Sequence, residues 1–471
     1  MMNDSGFTVK PHYIYITNLL YPYLTLLIIP VIRGLLQYLF GGKGALSAVL
    51  TAEAVLLCVA VFVAVLKLKR IVLFFDRSIS VQKGLFCRVS YRIPPSASKV
   101  VVLESNPLLK ILGGYWLKIY TEAGLRRRPD ESILVRRADA ARIYAMYKVK
   151  GETVRSNTYG DVIMSAALSS STAGLLLSIP IIKVVLSVLG EEIPSLLPAL
   201  NNPELSYSWL ETVGKYLTLA LMIGYAVSFT VLLLKNYGFS SVRSNGRIML
   251  DSGRLPHKTA VLEGRSVNAV KVLTAPLMLL AGKCAVKFSA CGYGRKKGEI
   301  GLLVPCVKPS LALGLVRWLL PEYKNVENIL RPERHAVRRC VWLPLAALVS
   351  LVSAAIAVNA LVPEFYEFVW LAALIATAFT SVLLFLRIYA INKGGFSLSN
   401  GQVWIKSLSK FSIGELQCKT DAVYFLRLSQ TPFDRRHGHC TVRLQLMGKN
   451  HDTASVRYLG YSKAKELLRH I

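Results

Sequence analysis

Apolar residues in this chain are concentrated in six long blocks. The segments between the blocks contain only short apolar stretches, which alternate with polar and basic residues. The blocks cover residues 19–40, 46–68, 163–189, 212–235, 341–362 and 368–388. A helix needs about 20 apolar residues to cross roughly 30 Å of hydrocarbon, and each block reaches that length. The blocks fall into three closely spaced pairs. We therefore predict six transmembrane helices arranged as three hairpins.

The segments between and after the hairpins have the residue types of β-strands. Val, Ile and Phe are frequent in residues 71–84, and Asn245-Gly246 and Asn400-Gly401 are the dipeptides that tight hairpin turns require. Each segment closes on a helical stretch, and these stretches cover residues 138–148, 311–320 and 462–470. Antiparallel strands followed by one helix predict a small β-barrel or sandwich with a C-terminal helix in each segment.

The three strand-rich segments share one signature, which marks the chain as a repeat. In each copy a proline is followed, at the same distances, by a glycine, an apolar residue and a cation. The signature residues are Pro107 with Gly113, Pro276 with Gly282, and Pro432 with Gly438. A register that recurs over so long a period indicates three copies of one unit. The predicted units are residues 1–155, 156–335 and 336–471, with strand-rich domains at 71–150, 238–323 and 394–471.

The formal net charge of +30 lies almost entirely in the segments between and after the hairpins. The second and third hairpin loops carry glutamates and no Lys or Arg, and the first carries only Lys43. Because Lys and Arg are retained on the cytoplasmic side, the N-terminus and all three strand-rich segments are predicted to be cytoplasmic. We expect a multi-pass plasma-membrane protein in contact with membrane lipids. The orientation accounts for the basic charge without a nucleic-acid partner.

The order of these features resembles the bacterial pleckstrin-homology-like (PH-like) domains of YdbS- and YdbT-type membrane proteins. The resemblance is carried in the first copy by Ser105-Asn106-Pro107-Leu108, Lys83-Gly84-Leu85-Phe86 and Arg92-Ile93-Pro94. Three copies on six helices resemble the YdbT type, over essentially the whole chain. The resemblance implies cytoplasmic PH-like domains, a smaller YdbS-like membrane protein as partner, and a role in cell-envelope stress or peptide resistance.

A basic triplet follows the alternating strand in two of the three copies. The triplets are Arg126, Arg127 and Arg128 in the first copy and Arg295, Lys296 and Lys297 in the second. Each cation near an anionic leaflet gains about 1 kcal/mol from the surface field, and Arg forms paired hydrogen bonds with phosphate oxygens. The triplets are therefore candidate sites for anionic lipid. Solvated turns that only enforce topology, and protein contacts, are alternatives that the sequence leaves open.

Two opposite charges lie within the first predicted hairpin. Arg33 and Glu53 are equidistant from Lys43 at its tip, which places both about 12 Å below the outer surface at a helical rise of 1.5 Å per residue. A lone charge at that depth costs about 3 kcal/mol or more, so each needs a partner. We predict that Arg33 and Glu53 form an intramembrane ion pair. The pair either fixes helix packing or helps to move an ion, a proton or a polar headgroup.

The sequence lacks the motifs of common enzyme classes. It contains no Walker glycine loop, no Gly-x-Ser-x-Gly elbow and no His-Glu-x-x-His pair, and its cysteines lack zinc-site spacing. We expect no catalytic residues, no cofactor and no metal. Three functions remain: a non-enzymatic scaffold or subunit of a membrane complex, a transporter of lipid or peptide across the membrane, and a regulator that responds to anionic lipid.

Overall fold

The computed structural model describes residues 6–39, 45–76, 78–95, 97, 99–121, 129–149, 151–156, 159–168, 203–253, 257–290, 293, 301–333, 335–361, 366–409, 412–446 and 453–468. These residues form twelve α-helices and twenty β-strands. Five of the helices are long, and they are α1 (Tyr15–Leu39), α2 (Ala45–Lys69), α6 (Pro203–Asn236), α9 (His335–Leu361) and α10 (Tyr366–Lys393).

Two of the long helices contain a segment that is long and apolar enough to cross a membrane. These segments are Thr51–Lys69 in α2 and Pro344–Leu361 in α9, and a shorter apolar segment, Met222–Asn236, lies in α6. The predicted total of six transmembrane helices is therefore not supported. Among the described residues of the other long helices, no segment reaches the length and hydropathy of a membrane span. The apolar block at 163–189 lies mostly outside the described residues.

The remaining elements form three domains with one common order: three strands, three further strands and a helix. Domain 1 contains β2 (Val72–Phe75), β3 (Ile79–Lys83), β4 (Val89–Ile93), β5 (Lys99–Ser105), β6 (Gly114–Thr121), β7 (Glu131–Arg136) and α4 (Arg137–Tyr147). Domain 2 contains β9 (Ser240–Ser244), β10 (Arg247–Ser252), β11 (His257–Glu263), β12 (Val267–Thr274), β13 (Cys284–Ala290), β14 (Gly301–Val307) and α8 (Pro309–Leu319). Domain 3 contains β15 (Gly395–Ser399), β16 (Gln402–Ser409), β17 (Ser412–Lys419), β18 (Val423–Ser429), β19 (His439–Leu446), β20 (Thr453–Gly460) and α12 (Tyr461–Leu468).

The signature residues adopt the same local structure in all three domains. Each proline opens a short helix: α3 (Pro107–Ile111), α7 (Pro276–Leu280) and α11 (Pro432–Arg436). Proline suits the first helical position because its missing N–H would have no intrahelical acceptor there. Gly113, Gly282 and Gly438 follow these helices with φ of +71°, +61° and +68°, a region that glycine enters without steric cost. The turn then leads directly into the next strand.

The segment before each helical hairpin is tied to the domain that follows the hairpin. β1 (Phe7–Val9) pairs with β2, and β8 (Glu152–Ser156) pairs with β9. In the third copy, Leu330 and Phe396 form an isolated bridge with two backbone hydrogen bonds. A short helix, α5 (Tyr159–Ala167), follows β8. In each copy, the domain that follows the helices thus also pairs with the chain just before them.

All sheet pairings are antiparallel, and two sheets run from one domain into the next. The strand orders are β1-β2-β3-β4, β7-β6-β5-β11-β10-β9-β8, β14-β13-β12-β17-β16-β15 and β18-β19-β20. The seven-stranded sheet joins the second half of domain 1 to the first half of domain 2. The six-stranded sheet joins domains 2 and 3 in the same way. The two outer sheets contain the halves that remain, at the start of domain 1 and the end of domain 3.

Candidate functional site

The pairing of β5 with β11, here called junction 1, connects domains 1 and 2. Its register places Ser105 opposite His257 and Val100 opposite Leu262. Ser105 lies two residues before the signature Pro107, so the repeat signature directly follows the strand that makes the contact. Junction 1 is therefore a regular antiparallel ladder between two domains.

The pairing of β12 with β17, here called junction 2, connects domains 2 and 3 in the same register. Thr274, two residues before Pro276, lies opposite Ile413, and Ala269 lies opposite Cys418. The hairpins that carry the receiving strands agree as well, because Arg247 faces Glu263 in domain 2 and Gln402 faces Lys419 in domain 3. One mode of edge pairing thus occurs twice in the chain.

Each junction contributes side chains to the core of the following domain. Val100, Val102 and Tyr120 of domain 1 belong to the apolar core of domain 2. Ala269 of domain 2 belongs to the core of domain 3. Alternate residues of the same strands, such as Val101, pack into their own domain. Because both faces of β5 are buried, the domains share their cores as well as their sheets, and hydrophobic burial stabilises the contact.

Charged side chains border junction 1 on its domain 1 side. Lys118 Nζ lies 2.7 Å from Glu104 Oε2, and Glu104 lies opposite Lys258 in the ladder. Burial opposes the charged form of Glu104, but the hydrogen bond from Lys118 and the positive charges of Lys118, Lys258 and Lys235 outweigh it and lower the pKa of Glu104. The carboxylate is therefore ionised at neutral pH and stabilises the junction electrostatically.

Junction 2 is bordered by a different set of polar contacts. Lys419 Nζ lies 2.6 Å from Glu322 Oε2 and donates a hydrogen bond of 2.9 Å to the carbonyl of Arg265. Further along the same face of β17, Glu415 accepts hydrogen bonds of 2.9 Å from both Trp404 Nε1 and Lys406 Nζ. The first set crosses between domains 2 and 3, so the junction is closed by side chains as well as by the ladder.

β4 and β18 correspond to the strands that form the junctions, but no strand of another domain pairs with them in the described part of the chain. Within the described residues, each is the last strand of its sheet. On β18, Tyr424 is 67% exposed and Phe425 is 37% exposed, and on β4, Val89 is 48% exposed. The matching strands at the junctions are largely buried. Apolar residues on an unpaired edge are a template for pairing with another strand.

Domain 1 fills the space beside its open edge with a polar cluster. Tyr91 of β4 and Lys83 of β3 both contact Glu131 Oε1, and the Lys83 ammonium lies 5.5 Å from the Tyr91 ring centroid. Burial, the hydrogen bond to Glu131 and nearby negative charges raise the pKa of Tyr91, so that the phenol stays protonated and donates to the carboxylate. Domain 2 has Ala260 at the corresponding place, covered by Val102 of domain 1.

The predicted site residues are only partly within the described residues. The basic triplets Arg126–Arg128 and Arg295–Lys297 lie outside them, so their lipid binding stays a prediction. Arg33 belongs to the backbone of α1, but its side chain is not described, so the ion pair with Glu53 also stays a prediction. Glu53 lies in α2, and its Oε1 is buried with no hydrogen-bond partner among the side chains that the structure describes.

The described residues offer little for metal or nucleophilic chemistry. Among them, no group of three or more His, Cys, Asp or Glu side chains could hold a metal ion. Burial raises the pKa of the Cys284 and Cys418 thiols to about 12 and that of Cys440 to about 11. These thiols are therefore protonated at neutral pH, whereas the reactive form of cysteine is the thiolate.

The third repeat has a recognisable relative. Residues 345–471 match the family model of the bacterial PH domain. The match begins within α9 and extends through domain 3, whose strand order domains 1 and 2 share. No curated protein and no solved structure matches the chain. The PH-like character expected from the sequence is thus supported for domain 3, and the antiparallel sheets of all three domains are consistent with PH-like sandwiches.

The sequence reasoning missed the two junctions, although a signal for junction 1 was present. Lys99–Ser105 contains the unbroken apolar run Val100–Leu103, whereas a strand with one solvated face alternates apolar and polar residues. Such a run indicates burial on both faces, and hence a second layer beyond the domain. β12, the corresponding strand of junction 2, gives no such signal, because Lys271 interrupts its apolar run as Arg427 interrupts that of β18.

Proposed function

We propose that the chain is a non-enzymatic integral membrane protein whose three cytoplasmic PH-like domains act as one rigid scaffold and as a subunit of a membrane complex. The observation that carries this proposal is the continuous pairing through junctions 1 and 2. Shared cores resist bending between domains, unlike domains that are joined only by linkers. A rigid row of small β-domains presents partner-binding surfaces in a fixed spatial order.

The membrane part of the proposal rests on the helices and the charge. Thr51–Lys69 and Pro344–Leu361 meet the length and hydropathy of a membrane span, and the basic residues are concentrated outside the apolar blocks. Both points favour a multi-pass protein with its domains on the cytoplasmic side. Carbonate extraction tests membrane integration, and retention of the chain in the pellet is expected. Release into the supernatant contradicts it.

Chemical labelling of Cys87 tests the cytoplasmic orientation of domain 1, because this cysteine lies in domain 1 and is exposed. A membrane-impermeant maleimide should label Cys87 in inside-out vesicles and not in right-side-out vesicles. The matched control is Cys87→Ser, which removes the labelled site. Equal labelling from outside contradicts a cytoplasmic domain 1.

The subunit role is tested by isolating the tagged chain from native membranes in lipid nanodiscs and identifying bound proteins and lipids by mass spectrometry. A stoichiometric membrane protein with one copy of the same unit, of the YdbS-like kind, is expected. The junction variant Val102→Asp serves as the comparison, because it should weaken the scaffold and reduce recovery of the partner. Recovery of an enriched anionic lipid without any protein partner contradicts the subunit role and favours the lipid-responsive regulator.

A second candidate function is movement of lipid or peptide along the first helical hairpin. Glu53 favours it, because its Oε1 is buried and has no hydrogen-bond partner within the described part of the chain, and a carboxylate in an apolar helix is costly and is often functional. In proteoliposomes that contain fluorescent lipid, Glu53→Gln should abolish lipid movement while leaving folding intact. The transport function is rejected if wild-type protein moves no lipid.

A further inference from the structure

We propose that two copies of this chain join head to tail, with β18 of one copy pairing with β4 of the other. The inference rests on the proposed scaffold function and names a partner and the surface it uses. Junctions 1 and 2 each join a strand that precedes a signature proline to the last strand of a neighbouring first half-sheet. β18 is the strand that precedes the third signature proline, and β4 is the last strand of the remaining first half-sheet. One chain therefore carries both halves of a third junction.

The register of the proposed junction follows from the two that exist. The loops 84–88 and 253–257 have equal length, so Val89 corresponds to Lys258. Ser429 corresponds to Glu104, because both lie three residues before the signature proline. Since Glu104 faces Lys258 in junction 1, Ser429 should face Val89. The same register places Phe425 opposite Ile93.

The exposed apolar residues of β18 match positions that the existing junctions bury. Phe425 corresponds to Val100 and to Ala269, which lie in the cores of the following domains. In the proposed contact, Phe425 would enter the open side of domain 1 of the second copy, beside Ile93. Transfer of this surface from water supplies the driving force for association.

Charge is compatible with the same contact. Arg427 corresponds to Lys271, the basic residue that junction 2 accommodates opposite Leu416. In the proposed register Arg427 faces Tyr91, whose hydroxyl contacts the buried carboxylate of Glu131. Because Lys83 already pairs with Glu131, the contact gains its stability from apolar burial rather than from this charge.

The contact is heterologous, because it uses different surfaces of the two copies. Each copy keeps one edge open after one contact, so the assembly either closes into a ring or continues as a row. Helical hairpins on every domain would keep such an assembly in the plane of the membrane.

Cysteine crosslinking in native membranes tests the register directly. Two differently tagged copies are co-expressed in a Cys87→Ser background, one with Ser429→Cys and the other with Val89→Cys. Oxidation should give a disulfide-linked dimer that carries both tags. The control pair combines Val89→Cys with Thr453→Cys, on the opposite edge of the same three-stranded sheet, and should give no dimer. Absence of the first dimer, or equal yield from the control, overturns the proposal.

A second measurement uses substitution of the apolar contact. Phe425→Arg should lower the fraction of dimer by about tenfold or more in native mass spectrometry, since an unpaired charge in the contact costs over 1.4 kcal/mol. Phe433→Arg is the matched control, because Phe433 is an exposed aromatic residue of domain 3 outside the edge. An unchanged dimer fraction in Phe425→Arg overturns the contact.

These outcomes separate the inference from the scaffold proposal. If Val89→Cys crosslinks to a different polypeptide and never to a second copy, the chain is a subunit of a complex but the head-to-tail contact is wrong. If two copies crosslink and no other membrane protein is recovered, the head-to-tail contact stands and the subunit role with a YdbS-like partner fails.

Discussion

β5 and β18 occupy the same place in domains 1 and 3, yet their surroundings differ completely. β5 lies between two strands, and its Val100 and Val102 help to form the core of the next domain. β18 has a neighbour on one side only among the described residues, and Tyr424 and Phe425 are exposed on it. The comparison shows that one type of strand either completes a neighbouring domain or presents an open edge, according to its position in the row.

The largest difference should appear when an aspartate is placed at the same position of β5 and of β18. Val102→Asp buries an unpaired carboxylate at junction 1 and should lower the free energy of unfolding by about 3–5 kcal/mol. Arg427→Asp, at the corresponding exposed place on β18, should change it by less than about 0.5 kcal/mol. Denaturant unfolding of the purified full chain measures both. Equal effects would show that the two strands have the same environment.

A smaller contrast should appear when methyl groups are removed from a paired edge and from an open edge. Val100→Ala deletes buried atoms and should cost about 1.5–3 kcal/mol, including the cavity that it leaves. Val89→Ala removes the same atoms from a half-exposed side chain and should cost about 0.5 kcal/mol or less. Both values come from the same unfolding experiment. A large cost for Val89→Ala would mean that the edge of β4 is already covered.

Acid should weaken junction 1 more than junction 2. The pKa of Glu104 is lowered in the folded state, so its stabilising contribution is present above the unfolded pKa and is lost as pH falls through the folded pKa. Junction 2 has Leu273 at the matching place, which cannot titrate. The protection factors of the β11 amides, which correct for the intrinsic pH dependence of exchange, should therefore fall in acid more than those of the β17 amides. Glu104→Gln should remove this difference, and persistence of the difference would assign it to another group.

The smallest effect concerns the short helices after the signature prolines. Thr431 caps α11 through a reciprocal capping box with Asp434, whereas Asn106 makes no side-chain cap hydrogen bond at α3. Thr431→Ala should cost about 0.5–1 kcal/mol, and Asn106→Ala should cost less. Thermal unfolding of the two variants measures the difference. The interpretation fails if Asn106→Ala is the more damaging substitution.

Local structure was the part of the fold that the sequence could predict. The repeat signature of Pro107 and Gly113 marks the same local structure in all three domains, and Asn245-Gly246 and Asn400-Gly401 lie in hairpin turns with positive φ at both residues. The segment 71–84, whose residue types indicated β-structure, contains two strands, β2 and β3. Proximity of the turn residues along the chain is sufficient for such predictions, because the interactions involved are local.

The pairing between domains could not be read in the same way. Ser105 and His257 are far apart in sequence, and no local rule states which edge a strand will choose. The Val100–Leu103 run indicated burial on both faces without naming the neighbour. The six-span count rested on hydropathy alone, which measures local composition, and the structure supports only two such segments within its described residues.

Hydrogen–deuterium exchange of the full chain, in nanodiscs that hold one copy each, tests the central claim most directly. The account predicts slow exchange in β5, β11, β12 and β17, because each is paired on both sides, and fast exchange at the edges of β4 and β18. Exchange in β5 and β11 as fast as in β18 would show that the domains are separate, and would contradict the account.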